Sequence, residues 1–258
     1  MRKRSGRAER LFVLGVVFAL AAGEARAAEA KVKTLAAGLS YDYFSRTVVW
    51  KGDTASSKIL ANMVSARADF GLGKDLVFSL SAGLSLTDFK GLSFGSLPIS
   101  LQFDGAPLKG LALGAEVAAP FMKFGDFEIS ATGRVVLSFG MSKTWPLEGF
   151  AVEGEAQGRP NWMEISVGPR FAYLLFGRVV PYVEVSARWL RAVFRMTEIL
   201  DELDGVEKKQ VNGDISFGVS LGADATVSDR LAVKAKAGIM PFAGGVDGLI
   251  SFGLLYRF

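Results

Sequence analysis

The chain has 258 residues, half of them apolar, with 30 Lys+Arg against 26 Asp+Glu, no His and no Cys. That much apolar surface excludes a disordered chain, and the missing Cys excludes disulfides, thiolate catalysis, iron–sulfur clusters, Cys-based zinc sites and a lipid-bearing cysteine. The missing His excludes the Ser-His-Asp triad and every His-containing metal site.

The chain opens with Arg2, Lys3, Arg4, Arg7 and Arg10, followed by an apolar run from Leu11 to Ala22 and the A-x-A sequence Ala25-Arg26-Ala27. This order predicts a cleaved secretory signal peptide over residues 1–27, too short to span a bilayer as a helix. Residues 28–258 are expected to form a single domain. The leader holds six basic and two acidic side chains, so the remainder holds 24 of each and is neutral. The basic excess therefore belongs to the leader, and with it goes the electrostatic argument for a nucleic-acid partner.

Beyond residue 28 no apolar run approaches the ~18 residues of a membrane helix. The dominant signal is period-two alternation, which marks a strand with one apolar and one polar face. Between Asp214 and Ser228 one face carries Ile215, Phe217, Val219, Leu221, Ala223, Ala225 and Val227, and the other carries Ser, Gly, Asp and Thr. Leu76 to Thr87, Phe127 to Gly140 and Leu231 to Ile239 repeat the pattern. Ten strands are predicted, over 34–44, 59–71, 76–87, 110–121, 127–140, 162–176, 180–195, 214–227, 231–240 and 249–258. Each has the ~9–11 residues a tilted strand needs to cross a bilayer, or more.

The connections alternate in length. Tight turns are expected at 71–75, 123–126, 177–178 and 228–230, where Gly and Asp gather. Long loops are expected at 45–58, 88–109, 141–161 and 196–213, with an intermediate one at 241–248. Leu97 to Phe103 alternates as well but carries Pro98, and reads as part of a tall hairpin or a lumen-directed loop. The pattern as a whole predicts an all-β, closed, antiparallel up-and-down transmembrane barrel of ten strands, with eight and twelve left open. Closure is the β solution to membrane burial, because every backbone polar group must be paired there.

The chain ends LISFGLLYRF, with Ile250, Phe252, Leu254, Tyr256 and Phe258 on one face. This ending resembles the C-terminal signature of Gram-negative outer-membrane β-barrels, and the whole pattern resembles small barrels of the OmpA, OmpX and OmpW sort. The resemblance implies residence in the cell outer membrane, contact with its lipid and lipopolysaccharide, and passage through periplasmic chaperones and the barrel-assembly machinery. It implies that Phe252, Leu254, Tyr256 and Phe258 serve as the assembly signal. No nucleic acid, cofactor or metal is expected, and the external ligand is unknown.

If the apolar face meets lipid, the other face lines the lumen. Its charged residues are Asp42, Arg67, Asp69, Glu116, Glu128, Arg134, Glu164, Arg170, Glu184, Arg188, Asp224, Lys234, Lys236 and Arg257, seven of each sign. Balanced charge in a narrow tube favours mutual pairing. Barrels of about eight strands are filled by side chains, so a ten-stranded one is expected to be largely plugged by this ion network. Aromatic residues near strand ends (Tyr41, Tyr43, Phe70, Phe121, Phe139, Trp189 and Tyr256) suit an interfacial girdle.

Barrel enzymes that act on peptides or lipids resemble this chain in fold but rely on a His base near neutral pH, so the match fails where the chemistry would sit. Glu116 and Glu128 are a formal acid–base pair, more simply read as lumen charges. Glu198 to Lys209 suits a solvated loop, a short helix, or a cation held by Asp201, Glu202 and Asp204, without calcium-loop spacing. Trp145, Phe150 and Trp162 suit a recognition surface or rim packing. The expected function is non-enzymatic: a barrel presenting long loops, structural or surface-interacting. The alternative is a porin-like narrow channel or transporter for small or apolar solutes.

Overall fold

A computed structural model describes residues 32–73, 75–103, 106–147, 154–200, 203–242 and 245–258. The signal peptide expected over residues 1–27 lies outside the described residues. Among the described residues there are thirteen strands: β1 (Val32–Val49), β2 (Ser56–Leu72), β3 (Leu76–Lys90), β4 (Leu92–Phe94), β5 (Leu101–Phe103), β6 (Leu108–Phe124), β7 (Phe127–Gly140), β8 (Lys143–Pro146), β9 (Gly154–Tyr173), β10 (Val179–Leu200), β11 (Leu203–Thr226), β12 (Leu231–Phe242) and β13 (Gly245–Arg257).

Ten of them form a ring in the order β1-β2-β3-β6-β7-β9-β10-β11-β12-β13, every neighbour antiparallel. The first and last strands close it, with Leu39 opposite both Ala66 on β2 and Leu254 on β13. No sheet edge runs the length of the ring, which satisfies the backbone on all sides. Each predicted strand has its counterpart in the ring. At one end the turns are tight, and Gly73, Gly125 and Gly177 have φ of 60°, 56° and 62°. Those left-handed values are what glycine adopts without strain.

The other end is where expectation and structure part. The ring strands run on well past the predicted limits, so that much of the expected loop sequence is paired strand. β10 and β11 stay in register to Leu200 opposite Leu203, which removes the expected loop over 196–213. β1 and β2 stay paired to Val49 opposite Ser56, which shortens 45–58 to the few residues between. β12 and β13 stay paired to Phe242 opposite Gly245, leaving two residues of the expected 241–248 loop. β9 starts at Gly154, inside the expected 141–161 loop, and β8 pairs with it. Between β3 and β6 the chain forms the short β4–β5 hairpin. We call this side the tall end.

The wall has two faces of opposite character. Leu39, Val64, Leu84, Phe217 and Leu221 point outward and are 57–68% exposed. Ser40, Asp42, Ser65, Asp69, Ser79, Ser130, Ser166 and Glu184 point inward and are buried. An outer belt of this kind is stable against hydrocarbon rather than water.

The inner face then changes character along each strand. On β10 the inward residues are Glu184, Ser186 and Arg188 near the turn end, then Leu190, Ala192, Phe194 and Met196 towards the tall end. On β2 they run from Asp69, Arg67 and Ser65 to Met63, Ala61 and Ile59. On β9 they run from Arg170, Ser166 and Glu164 to Trp162 and Ala156. The bore is therefore built in two storeys, a charged one inside the apolar belt and an apolar one above it.

Candidate functional site: the filled bore

The lower storey brings twelve of the fourteen predicted lumen charges into ion pairs. Arg134 Nη2 lies 2.9 Å from Asp42 Oδ1. Asp69 takes Arg67 Nε at 2.7 Å and Lys234 Nζ at 2.6 Å. Arg67 also reaches Glu116 at 3.2 Å and donates to Ser79 Oγ at 3.0 Å. Arg188 Nη1 meets Glu164 at 2.7 Å, Arg170 meets Asp224 at 2.6 Å, and Lys236 meets Glu184 at 3.3 Å. Opposite charges also face each other across neighbouring strands, as in Glu116 opposite Arg134 and Asp224 opposite Lys234. Such cross-strand placement lets each charge be neutralised without leaving its face.

The other two residues sit apart from this network. Glu128 lies near the turn end and accepts a bond from Ser130 Oγ at 3.4 Å. Arg257 is exposed at the turn end and donates to Thr226 Oγ1 at 3.2 Å. Glu116 and Glu128 are not brought together: Glu116 stands opposite Arg134, six residues along β7 from Glu128, and pairs with Arg67.

Close packing completes the storey. The Arg170 guanidinium stacks 3.5 Å above the Tyr182 ring, a favourable cation–π arrangement. The ring itself lies across Gly222, where a Cβ would come within 2.3 Å of Cζ. Glycine at that position makes room for the ring. Between the storeys a cavity of about 20 Å³ is bounded by Asp42, Phe44, Arg134, Trp162, Glu164 and Arg188. A second, of about 10 Å³, lies among Ser40, Arg67, Glu116 and Arg134. Volumes of this size hold about one water each.

The upper storey is closed by the β4–β5 hairpin. Its Leu92, Phe94, Leu97 and Phe103 are buried in one apolar cluster with Val48, Trp50, Ile59, Phe89, Leu108 and Phe194 from the wall. Of the two expectations for Leu97 to Phe103, the lumen-directed one describes this hairpin. Phe194 is the hub, with ring centroids 4.9 Å from Phe89 and 5.3 Å from both Phe94 and Phe103. Trp162 stacks edge-on with Phe44 at 4.9 Å and donates its indole N–H to Thr87 Oγ1 at 3.0 Å. It is the first residue of the predicted strand 162–176 and lies buried inside the bore, so it is not part of the recognition surface that is one of its two expected roles. Trp145 packs on Phe103 at 5.3 Å, and Phe150 lies outside the described residues.

Two carboxylates tie down the hairpin tip. Glu198, with no exposed surface, accepts from the Ile99 N–H at 3.0 Å, and Glu207 accepts from the Ser96 N–H at 2.7 Å. Glu207 also pairs with Lys209, which reaches Asp53 at 2.6 Å. Burial opposes the Lys209 charge, but the bonds to Asp53 and Glu207 outweigh it and hold the ammonium pKa above its ordinary value. The described residues of the 198–209 stretch thus form neither a solvated loop nor a helix but a strand pair that braces the plug. Asp201 and Glu202 lie outside the described residues. Among the described residues no group of His, Cys, Asp and Glu is arranged to hold a metal.

Sequence reasoning missed several buried polar residues. Arg46 bonds to Ser216 and lies 3.7 Å from Met240 Sδ. Asp247 accepts from the Thr47 N–H at 2.6 Å and from Thr47 Oγ1 at 3.0 Å. With Glu198, all fall in stretches read as loops. The missed signal is the phase of the apolar residues, which on β10 moves from Val183, Val185 and Ala187 to Leu190, Ala192, Phe194 and Met196.

No family model matches the chain, and no curated protein matches it. Among solved structures it is similar to the outer membrane protease OmpT from Escherichia coli, at 9% identity, over 89% of this chain and 98% of that one, with a TM-score of 0.51. The chain has the outer-membrane β-barrel fold. Weaker likenesses are to the translocator domain of autotransporter NalP from Neisseria meningitidis (11% identity, 98% of each chain, TM-score 0.46) and to Ail, the attachment invasion locus protein of Yersinia pestis (12%, 87% of this chain and 97% of that one, TM-score 0.34). In this barrel Phe252, Leu254, Tyr256 and Phe258 share the outer face, 41–77% exposed. The Phe258 N–H bonds to Leu35 O at 2.9 Å across the closing seam. Of the girdle aromatics, Tyr41, Phe121, Phe139 and Tyr256 are exposed on the wall, and Tyr43, Phe70 and Trp189 are half-buried there.

Proposed function

We propose that this chain is a non-enzymatic, integral outer-membrane protein with a closed bore, acting through the surface that its tall end presents. The carrying observation is that the bore is filled twice, by ion pairs below and by the apolar hairpin above. A barrel sealed by two independent chemistries is a rigid stand rather than a conduit. The absence of His and Cys, and carboxylates held at 2.6–3.3 Å from cations, support a role without catalysis. The tall end, where β10 and β11 rise well beyond the belt, is the surface through which such a stand meets other molecules.

The barrel reconstituted in planar bilayers is expected to give no steady conductance above the bare membrane. A large, stable, weakly selective conductance contradicts the closed bore. A second reading, passage of small apolar solutes, is favoured by the apolar lining of the upper storey and by a plug whose tip Glu198 and Glu207 hold by single bonds. Uptake of a small aromatic solute by protein-loaded liposomes faster than by empty ones would favour that reading. Turnover of lipids or peptides in an activity screen would overturn the non-enzymatic one.

A further inference from the structure

The outer wall of β9, β10 and β11 carries a row of cations just above the apolar belt. Arg195 on β10 stands opposite Arg159 on β9 and Lys208 on β11. All three are exposed, while Gly158, Pro160, Phe194 and Met196 beside them are buried. The row therefore faces outward, away from the bore. Arg191 lies on the same face four residues nearer the belt and is exposed too. Directly opposed residues in antiparallel strands have Cβ atoms about 5 Å apart, and like charges so placed destabilise the sheet.

Among the described residues no acidic side chain relieves this repulsion. Among the described residues none of the four cations forms an ion pair; the Arg159 Nε–H donates to the Gly140 carbonyl at 3.3 Å. The available acids stand elsewhere. Glu155 and Asp204 flank Ile199, four residues further from the belt. The row is thus three aligned positive charges without a counterion among the described residues, bounded above by acids and below by apolar surface.

The height of the row identifies its occupant. Trp189, half-buried on the outer wall, is the last aromatic before Arg191, and tryptophan sits at the headgroup level. At a rise of about 3.3 Å per residue and a tilt of about 45°, Arg191 lies about 5 Å above Trp189, and the Arg195 row about 14 Å above it. The polar layer of one leaflet is about 5–7 Å deep, so Arg191 stands inside it, and the row stands above it, level with sugars carried on the headgroups, its long side chains able to extend down towards the phosphates. A soluble polyanion approaching the tall end meets Glu155 and Asp204 first, whereas a lipid anchored beside the belt meets the cations without passing them. Arginine recognises phosphate through paired N–H donors.

We propose that Arg159, Arg195 and Lys208, with Arg191 below them, form a binding site for the phosphate groups of a phosphorylated glycolipid in the outer leaflet. The site rests on the outer-membrane reading above and adds to it a ligand class and the residues that hold it. It also explains why the wall bears a like-charge row that a bare surface would disfavour.

The test uses the full mature chain refolded in detergent micelles, with native mass spectrometry of added lipid. The probes are diphosphorylated lipid A and its dephosphorylated form with the same acyl chains. The wild-type barrel is expected to hold the diphosphorylated probe at least tenfold more tightly. R159Q/R195Q/K208Q is expected to lose that preference to within twofold, and E155Q/D204N to keep it. If the triple variant does not fold, Arg195→Gln alone is expected to lower the preference at least threefold. Heat-modifiable gel migration of the same samples reports folding. A folded wild type that binds both lipids equally overturns the site while leaving the outer-membrane reading intact. Displacement of the lipid by inorganic pyrophosphate at equal phosphate concentration overturns the lipid assignment. A chain that stays soluble and folded without detergent overturns both readings.

Discussion

Replacing Arg188 by Met is expected to lower the unfolding free energy of the reconstituted barrel by about 3–5 kcal/mol. Arg188 and Glu164 are 3% and 7% exposed and sit 2.7 Å apart at the boundary between the two storeys. Removing the guanidinium leaves a carboxylate inside a bore where water has almost no room, and an uncompensated buried charge costs far more than the pair itself contributes. The double variant Arg188→Met/Glu164→Leu is therefore expected to recover most of the loss. Urea unfolding in detergent, followed by tryptophan fluorescence, measures both, and the Glu164→Leu single variant closes the cycle that gives the coupling. Equal losses in the single and double variants would mean that the ion pair does not organise the lower storey.

Phe194→Ala is expected to cost about 3–5 kcal/mol and to loosen the plug as well. Phe194 has no exposed surface and touches three other rings, two of them on or beside the β4–β5 hairpin. Each aromatic contact contributes about 0.5–1.5 kcal/mol beyond burial, and deleting the ring opens a void that the stiff wall cannot collapse into. The hairpin then keeps its two carboxylate ties but loses its apolar seat. Limited proteolysis of folded barrel in detergent should cut the Phe194→Ala variant within 92–103 much faster than the wild type, while the wall strands stay protected. Unchanged proteolysis would show that the hairpin is held without this cluster.

The lower half of the barrel was legible in the sequence because one rule holds there without interruption. Inside the belt, lipid demands apolar side chains on every second residue, so Ile215 to Val227 or Leu76 to Leu86 announce both the strand and its outer face. The same rule picks out the lumen charges, and twelve of the fourteen named residues meet in ion pairs. The upper half was opaque because the rule changes sign. Above the belt the outside is polar and the inside is apolar, so Arg191 and Arg195 point out while Leu190 and Phe194 point in. At such a reversal two apolar residues become neighbours, as in Trp189-Leu190, and the alternation breaks.

A β-bulge hides the pattern further. The register moves from Leu190 opposite Asp214 to Arg191 opposite Asn212, which inserts one residue into β11 and shifts its parity. Read by strict alternation, β11 stops at Asp214, although its strand continues to Leu203. The apolar plug was out of reach for a different reason. Leu92, Phe94, Leu97 and Phe103 are near in sequence to Phe89 but find Phe194 and Trp145 only through closure of the ring, and no local period reports such contacts.

The central claim is that the wall turns its apolar face to lipid and its polar face to a filled bore. The chain has no native Cys, so single cysteines carrying nitroxide labels can be scanned along β11 from Phe217 to Gly222 in liposomes. The predicted result is a period of two: high collision rates with dissolved oxygen at 217, 219 and 221, and low rates with both oxygen and a water-soluble nickel complex at 218, 220 and 222. Uniform accessibility along the segment, or high nickel accessibility at 217, 219 and 221, would contradict it.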